Sequence, residues 1–202
     1  MTQALAPSDD EIVLCATARL ARTLPLEAAA RAGVGEAGVP VPNTATVSQW
    51  LGNVIEEALL CGEVAPTALP SRVLTTQAEA LLWERCVRAA VDDDIASELF
   101  DARGLATEAM KAAELVDVWT LAVDPVQASE ESRRFLEWRQ RFVDEATRHG
   151  WATSAMAALR QVELLEAGVG RMPASVALAG FDRLNPLEKR LVRALERRGV
   201  AV

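Results

Sequence analysis

The sequence is poor in the residues that carry most enzyme chemistry. Its 202 residues include one histidine, His149, and two lysines, Lys111 and Lys189. A single histidine excludes metal sites built from several histidines and leaves little for serine–histidine catalysis. A phosphate-binding P-loop needs a lysine within a glycine-rich turn that follows a strand. Neither lysine has that setting, and no glycine precedes Gly33, so conventional ATP hydrolysis is not expected.

Cysteines and long apolar runs are also scarce. The three cysteines, Cys15, Cys61 and Cys86, are odd in number and far apart, which excludes a disulfide framework and a Cys-x-x-Cys metal site. We expect buried thiols. No apolar run approaches the roughly 20 residues that span a bilayer, and residues 1–10 lack the regions of a signal peptide. A cytoplasmic protein without a membrane partner is therefore expected.

The chain is acidic, with a formal net charge of −8, and half of its residues are hydrophobic. This length and hydrophobic content can support one sizeable core, or one core with a helical subdomain. The surface as a whole should repel nucleic acid. Any contact with DNA would need a local basic patch.

Apolar runs that alternate with helical patterns predict an α/β fold with a small parallel sheet flanked by helices. Strands are predicted at 11–17, at 44–47 and around Val176. Between the first two lies a predicted helix over Ala18–Ala32, which should be interrupted or bent at Pro25. The parallel sheet implies right-handed crossovers.

Helical patterns dominate the middle of the chain. Ser48 is the predicted cap of a helix over 49–60. A proline-bounded loop at 65–70 leads to residues 72–75, and Thr76 with Glu79 is the predicted capping box of the next helix. Between residues 96 and 168 the pattern contains helices and no convincing strand. The predicted organisation is therefore an α/β part over 1–95, an inserted helical subdomain over 96–170, and a return to the sheet over 171–202.

The sequence has an acidic residue, Asp182, between the predicted last strand and the predicted last helix. Asn185 can cap that helix, Pro186 suits its first position, and Glu188 can complete a capping box. Asp182 lies just before, at the sheet edge where open α/β folds bind ligands. In nucleotide-dependent motors this place carries the acid that holds magnesium.

Several other patterns have ordinary explanations. The glycines of 33–38 match G-x-G-x-x-G but do not follow a strand, so a plain loop is expected. The acidic run 92–94 lacks calcium-loop spacing and should be solvated. His149 suits the C-terminus of a helix. The roles of two sets of residues remain open. The tryptophans either pack in the core or stack on bases. The arginines of the last helix and of 129–149 either form charged faces or contact DNA or a partner. The tryptophans are Trp50, Trp83, Trp119, Trp138 and Trp151.

Five short segments, taken in this order, resemble the N-terminal region of AddB-like probable DNA repair proteins, which carry a PD-(D/E)xK nuclease domain. They span nearly the whole chain: 14–24 (LCATARLARTL), 77–84 (QAEALLWE), 134–142 (RFLEWRQRF), 149–151 (HGW) and 178–186 (LAGFDRLNP).

The resemblance implies a superfamily 1 helicase-like, P-loop-type domain with a helical subdomain inserted into its sheet. It also implies a longer protein with a second helicase-like part and a C-terminal nuclease, acting with a helicase subunit on broken DNA ends. Residues 17–22 would occupy the place of the phosphate loop, without its glycine and lysine. Asp182 would occupy the place of the magnesium-binding acid, without a second acid beside it.

The sequence therefore predicts a non-catalytic scaffold that positions DNA or a partner subunit, without a cofactor or metal. Arg19 and Arg22, at the start of the first helix, are the DNA-contact candidates. The nuclease activity of that family cannot be assigned to this chain, because no Asp followed by Glu-x-Lys occurs at nuclease spacing. We expect further domains in a longer protein. The alternative is a protein-interaction module with an exposed apolar helical face and no DNA affinity. A nucleotide-binding enzyme with an unusual loop is a third possibility.

Overall fold

The computed structural model describes residues 11–32, 41–91, 101–124 and 126–202. These form two compact units, one built from residues up to Ala65 with Gln161–Val202, the other from Pro66–Arg160. The strands are β1 (Glu11–Cys15), β2 (Thr44–Thr46), β3 (Arg72–Val73), β4 (Trp151–Ala152) and β5 (Ser175–Ala179). The helices are α1 (Ala18–Ala32), α2 (Val47–Leu60), α3 (Thr76–Val91), α4 (Ala102–Val118), α5 (Glu130–Arg148), α6 (Ser154–Glu166) and α7 (Pro186–Arg197).

The first unit contains a three-stranded parallel sheet in the order β2-β1-β5. Its central strand, β1, buries Ile12, Leu14 and Cys15, as expected of a strand covered on its faces. Val176 of β5 lies opposite Ile12 in the register and is buried as well. The prediction of an α/β fold with a small parallel sheet flanked by helices is confirmed.

Helix α1 runs without a break through Pro25, so of the interruption or bend predicted there, the interruption is absent. Proline has no N–H to donate to the carbonyl four residues earlier, which is that of Ala21. The hydroxyl of Thr44 donates to this carbonyl instead, at 2.6 Å. A side chain of β2 thus satisfies the acceptor that proline leaves unpaired.

The second unit is built on the packing of α3, α4 and α5. Trp83 of α3 and Phe142 of α5 are both buried, and their rings stack with centroids 4.4 Å apart. The buried residues of helix α4 are all alanines, namely Ala106, Ala109 and Ala113. Small side chains let neighbouring helices approach closely.

Strand β4 falls inside the stretch where only helices were expected, so that prediction is wrong at Trp151 and Ala152. These residues pair in parallel with Arg72 and Val73 of β3. A two-residue strand is too short to show an alternating pattern. Gly150, with φ +69°, makes the turn that separates β4 from α5.

The helical unit, Pro66–Arg160, has different boundaries from the predicted insertion at 96–170. Helix α3 belongs to it because Trp83 and Val87 lie in the same core as α4 and α5. The glycine pattern at 33–38 and the acidic run at 92–94 lie outside the described residues.

The helix caps agree with the sequence in one case and differ in two. Asn185 and Glu188 form the predicted capping box of α7, with Pro186 in its first turn. Helix α2 is capped by Thr46 rather than Ser48. At the start of α3 the amide of Ala78 donates to the hydroxyl of Thr75 at 3.3 Å, so Thr75 takes the role predicted for Thr76. None of the helices in the described ranges is long and apolar enough to cross a membrane.

Candidate site at the carboxyl edge of the sheet

The three parallel strands of the first unit end at the same edge of the sheet, and each is followed by a helix. Helix α1 begins two residues after β1, α2 follows β2 directly, and α7 begins after residues 180–185. From β1 the chain continues to β2 on one side, whereas β5 lies on the other. The carboxyl ends of β1 and β5 therefore flank a switch point in strand order, where open α/β sheets bind ligands.

The connection from β1 to α1 consists of Ala16 and Thr17 alone. The amide of Ala16 donates to the carbonyl of Ala179 at 3.0 Å, which ties the turn to the end of β5. The Thr17 hydroxyl accepts from the amide of Leu20 at 3.2 Å and caps α1. Two residues leave no room for the eight-position P-loop pattern between strand and helix.

Gly180, directly after β5, packs against the first turns of α1. Its φ is +77°, and a Cβ on it would lie 2.6 Å from Cδ2 of Leu20 and 3.7 Å from Cβ of Ala16. The Leu20 side chain therefore lies against the backbone at the end of β5. This part of the switch point is closed by an apolar contact.

Both predicted DNA-contact residues, Arg19 and Arg22, are exposed on α1. Nε of Arg22 donates to the carbonyl of Ala18 at 3.3 Å. The Arg22 side chain thus runs back toward the first turn of its helix, and so toward the sheet edge.

Asp182 is exposed in the connection between β5 and α7. The next acid along the chain, Glu188, is engaged in the cap, because its Oε2 accepts from the amide of Asn185 at 2.8 Å. In the described part of the chain no three His, Cys, Asp or Glu side chains form a group suited to a metal ion. Asp182 thus stands as a single carboxylate at the edge.

Arg183 is exposed next to Asp182, and it is not among the residues predicted from the sequence. Its position directly after the acid was the available signal. Together with Arg19 and Arg22 it gives the edge three guanidinium groups against the one carboxylate of Asp182. We call these four side chains the edge patch, and it is locally basic in an acidic chain.

Many arginines outside the edge patch are held in ion pairs. Arg134 pairs with Glu130 at 3.0 Å and Arg139 with Asp117 at 2.5 Å. On α7, Arg190 and Arg197 both bind Glu166, at 2.6 and 2.9 Å. The hydrogen bond from Arg190 holds the pKa of the Glu166 carboxyl below its usual value. These ion pairs are consistent with charged helix faces, which was one of the two roles considered for these arginines, the other being contact with DNA or a partner.

The tryptophans divide by burial. Trp50 and Trp83 are 5% and 1% exposed and belong to cores, whereas Trp138 and Trp151 are half-buried. Trp119, the residue that ends α4, is 47% exposed. Trp119 is therefore the most exposed of the five tryptophans.

The cysteines and the histidine follow their predictions with one exception. Cys15 and Cys86 are buried, and burial raises the pKa of both thiols. Cys61, at the end of α2, is exposed, so the expectation of a buried thiol is wrong there. His149 caps the C-terminus of α5 as predicted, and its ring stacks on Trp151 with centroids 4.5 Å apart.

No protein-family model matches the chain, and no curated protein matches it at a significant level.

Proposed function

We propose that the chain is the helicase-like N-terminal region of an AddB-like DNA-repair protein and serves as a non-catalytic scaffold that positions DNA or a partner subunit. The edge patch would contact the phosphates of DNA. The activity of a nuclease or helicase would belong to other parts of such a protein or to its partner.

The topology of the first unit supports this proposal. Its parallel sheet is interrupted in sequence between β2 and β5 by the helical unit of Pro66–Arg160. A sheet that receives a helical insertion is what the resemblance implies for a superfamily 1 helicase-like domain.

The turn after β1 supports a scaffold rather than a motor. A phosphate cradle requires successive backbone amides of a glycine-rich loop and a lysine that reaches the outer phosphates. Here the turn is two residues long and is followed by Arg19 and Leu20 in the first turn of α1. The adjoining space at Gly180 is taken by the Leu20 side chain.

The observation that carries the proposal is the edge patch itself. Arg19, Arg22 and Arg183 are exposed where the parallel strands end, and only Asp182 within the patch opposes them. Lysines and arginines supply the salt-dependent part of binding to nucleic acid, because neutralising each phosphate releases counterions. On a chain of net charge −8, such contact needs a local group of exposed cations, and the edge patch supplies one.

Fluorescence anisotropy of labelled single-stranded and forked DNA, at low and physiological salt, tests the proposal. We expect saturable binding that weakens with salt. The double variant Arg19→Ala with Arg22→Ala should bind more weakly, and its salt slope on a single strand should be smaller by about 0.7 for each phosphate that the variant no longer neutralises.

A matched control is the double variant Arg133→Ala with Arg134→Ala, which removes the same charge from exposed positions on α5. It should keep the affinity and the slope of the unaltered chain. Equally weakened binding in both double variants would show that net charge alone governs binding, and an unaltered slope in the Arg19 and Arg22 variant would contradict the assignment.

A second candidate function, a protein-interaction module, is favoured by an exposed apolar segment at the end of α4. Leu115, Trp119, Leu121 and Val126 are 56%, 47%, 52% and 87% exposed. Contiguous exposed apolar side chains mark interaction surfaces more often than single ones do. This segment lies in the helical unit, away in sequence from the residues of the edge patch.

The two functions are separable by variants. Trp119→Ser with Leu121→Ser should abolish binding to a helicase partner subunit while leaving DNA binding unchanged, if the segment is the docking surface. Leu60→Ser, at a single leucine that is 81% exposed, is the control. Retention of partner binding in the Trp119 and Leu121 variant would remove this candidate.

A further inference from the structure

The two-stranded sheet of the helical unit has an open edge along β3. This strand pairs with β4 on one side, and the described part of the chain places no strand on its other side. Both of its residues, Arg72 and Val73, are exposed, and Val73 is 47% exposed. A sheet of two short strands is marginal on its own. An unpaired edge is a template for a further strand.

The backbone of Val73 carries the hydrogen-bonding groups of this edge. Val73 lies opposite Ala152 in the register, and the carbonyl of Ala152 accepts from the amide of Leu74 at 2.9 Å. Hydrogen bonds between parallel strands are slanted, so that a residue joins the two neighbours of the residue opposite it. The N–H and C=O of Val73 itself therefore point away from β4. One donor and one acceptor face an incoming strand.

A groove lies beside the open edge, and its volume is about 220 Å³. This is less than the roughly 300 Å³ at which pockets for whole ligands begin, so it suits a side chain of a partner. Two arginines, Arg72 and Arg85, line it together with apolar side chains. We call it the β3 groove, and its apolar lining is Leu74, Ala78, Leu81, Leu82 and Trp151. Leu81 is 67% exposed, which leaves apolar surface for a partner to cover.

Cations are in excess at the β3 groove. Arg72 makes no ion pair within the described ranges. Arg85 binds Glu145 at 2.5 Å, but Glu145 also binds Arg148, so two guanidinium groups share one carboxylate. The groove therefore complements an acidic partner, although the chain as a whole is acidic.

The faces of β3 define the order of residues in such a partner. Arg72 and Leu74 are two positions apart, so they lie on the same face of the strand, and both line the groove. Val73 lies on the opposite face. A partner strand therefore needs an apolar side chain for the groove and an acid two positions away on the same face. The residue between them lies beside Val73.

We propose that the open edge of β3 binds an extended acidic segment of a partner protein, which adds to the sheet as a third strand. Its backbone bonds to the N–H and C=O of Val73, its apolar side chain enters the β3 groove, and its acid meets Arg72. In this mode of recognition, main-chain hydrogen bonds supply affinity and side-chain pockets supply specificity. The site goes beyond the proposed scaffold function, because it lies in the helical unit and does not use the edge patch.

Fluorescence anisotropy with the labelled peptide Ser-Asp-Val-Leu-Val-Asp-Ser tests the proposal on the whole chain. The peptide has an acid two positions to either side of its leucine, so it fits in either strand direction. We expect saturable binding, and binding about threefold weaker for the same peptide with Asn in place of Asp. Hydrogen exchange measured by nuclear magnetic resonance should show protection of the Val73 amide in the complex. Docking through side chains alone would not protect it.

Variants of β3 separate the backbone contact from the charge contact. Val73→Pro removes the outward N–H, and proline is tolerated on a strand edge that faces solvent. It should weaken peptide binding by about tenfold, whereas Val73→Thr keeps the N–H and should bind as the unaltered chain does. Arg72→Gln should weaken binding by about threefold. Its control is Arg103→Gln, at an exposed position on α4, which should leave binding unchanged. Circular dichroism checks that each variant is folded.

Three results would overturn the proposal. The first is no saturation up to about 1 mM peptide. The second is binding that leaves exchange of the Val73 amide unchanged, which stays decisive even where Val73→Pro does not fold. The third is displacement of the peptide by single-stranded DNA in the unaltered chain but not in Arg72→Gln, since this would assign the groove to nucleic acid.

Discussion

Gly180 is the residue on which the contact between β5 and α1 depends. Its φ of +77° lies in the left-handed region, where a Cβ costs about 1–2 kcal/mol. The added Cβ would also meet Leu20 Cδ2 at 2.6 Å, and because this atom is the end of a flexible side chain, its displacement adds at most about 1 kcal/mol, the low end of overpacking costs. Gly180→Ala should therefore lower the free energy of unfolding, measured by urea denaturation, by both amounts.

Gly199 provides the matched control for that substitution. Its φ is +80°, but no atom lies within 4 Å of a Cβ built there. Gly199→Ala should therefore carry only the backbone cost of about 1–2 kcal/mol. Equal destabilisation at the two glycines would show that Leu20 gives way freely, and that the apolar closure of the switch point is loose.

Glu79 should make the stability of the protein depend on pH. Burial raises the pKa of its carboxyl; the Trp83 N–H opposes this rise, and the charges of Glu114 and Asp117 add to it. Arg139 is the cation of the cavity that these acids line. Because the folded pKa lies above the unfolded one, the native state binds more protons between the two values, and stability falls as pH rises through that window.

Glu79→Gln should remove this fall in stability. At pH 7 the variant should be at least as stable as the unaltered chain. The difference should vanish below the unfolded pKa of about 4.3, where both side chains are neutral. Urea midpoints from about pH 4 to 8 measure this, and a variant that is less stable at pH 7 than at pH 4, relative to the unaltered chain, would contradict it.

At the scale of elements, Thr44 explains how α1 continues through Pro25. Its hydroxyl satisfies the Ala21 carbonyl at 2.6 Å. Thr44→Val keeps the shape of the side chain and suits a strand, but it removes the donor. We expect a decrease of about 1 kcal/mol in the free energy of unfolding.

The same substitution in a Pro25→Ala background should cost less. Alanine restores the N–H that can donate to Ala21 within the helix, so the carbonyl no longer depends on Thr44. A double-mutant cycle by urea denaturation measures this coupling. An identical cost in both backgrounds would show that the Thr44 bond does not replace the missing helical one.

The cap of α2 gives a second test among the elements. Thr46→Ala removes a capping box in which the hydroxyl accepts from the amide of Gln49, and it should cost about 1 kcal/mol. Ser48→Ala, inside the helix and exposed, should be neutral or slightly stabilising, because alanine is the better helix former. Thermal melts of the two variants decide between the caps, and the reverse order would contradict the structure.

The elements that the sequence predicted well are those with strong local signals. The apolar run of β1 and the Asn185, Pro186 and Glu188 start of α7 are both confirmed. Thr46 was missed as a cap because it also ends a strand. Strand β4 was missed because its two residues are held by pairing with β3, which lies about 80 positions earlier.

The same distinction applies to the candidate sites. Parallel strands end at one edge, so the sequence could bring Arg19, Arg22 and Asp182 to that edge from strand order alone. The β3 groove could not be predicted in this way. Its lining comes from β3, α3 and β4, and their contacts are set by tertiary packing.

For the whole molecule, the distribution of charge determines where DNA could bind. The chain has a net charge of −8, and many of its arginines outside the edge patch are paired with acids. A chain of this kind can contact DNA only where cations are concentrated and left exposed. The proposed scaffold function therefore depends on one small surface rather than on the protein's overall field.

The most direct test of that claim is the salt dependence of single-stranded DNA binding, measured by anisotropy for the unaltered chain and for the Arg19→Ala and Arg22→Ala double variant. We predict saturable binding, and a plot of log K against log salt that is less steep for the variant by about 1.4, which is about 0.7 for each of two phosphates. Binding with the same slope in both proteins, or no binding even at low salt, would contradict it.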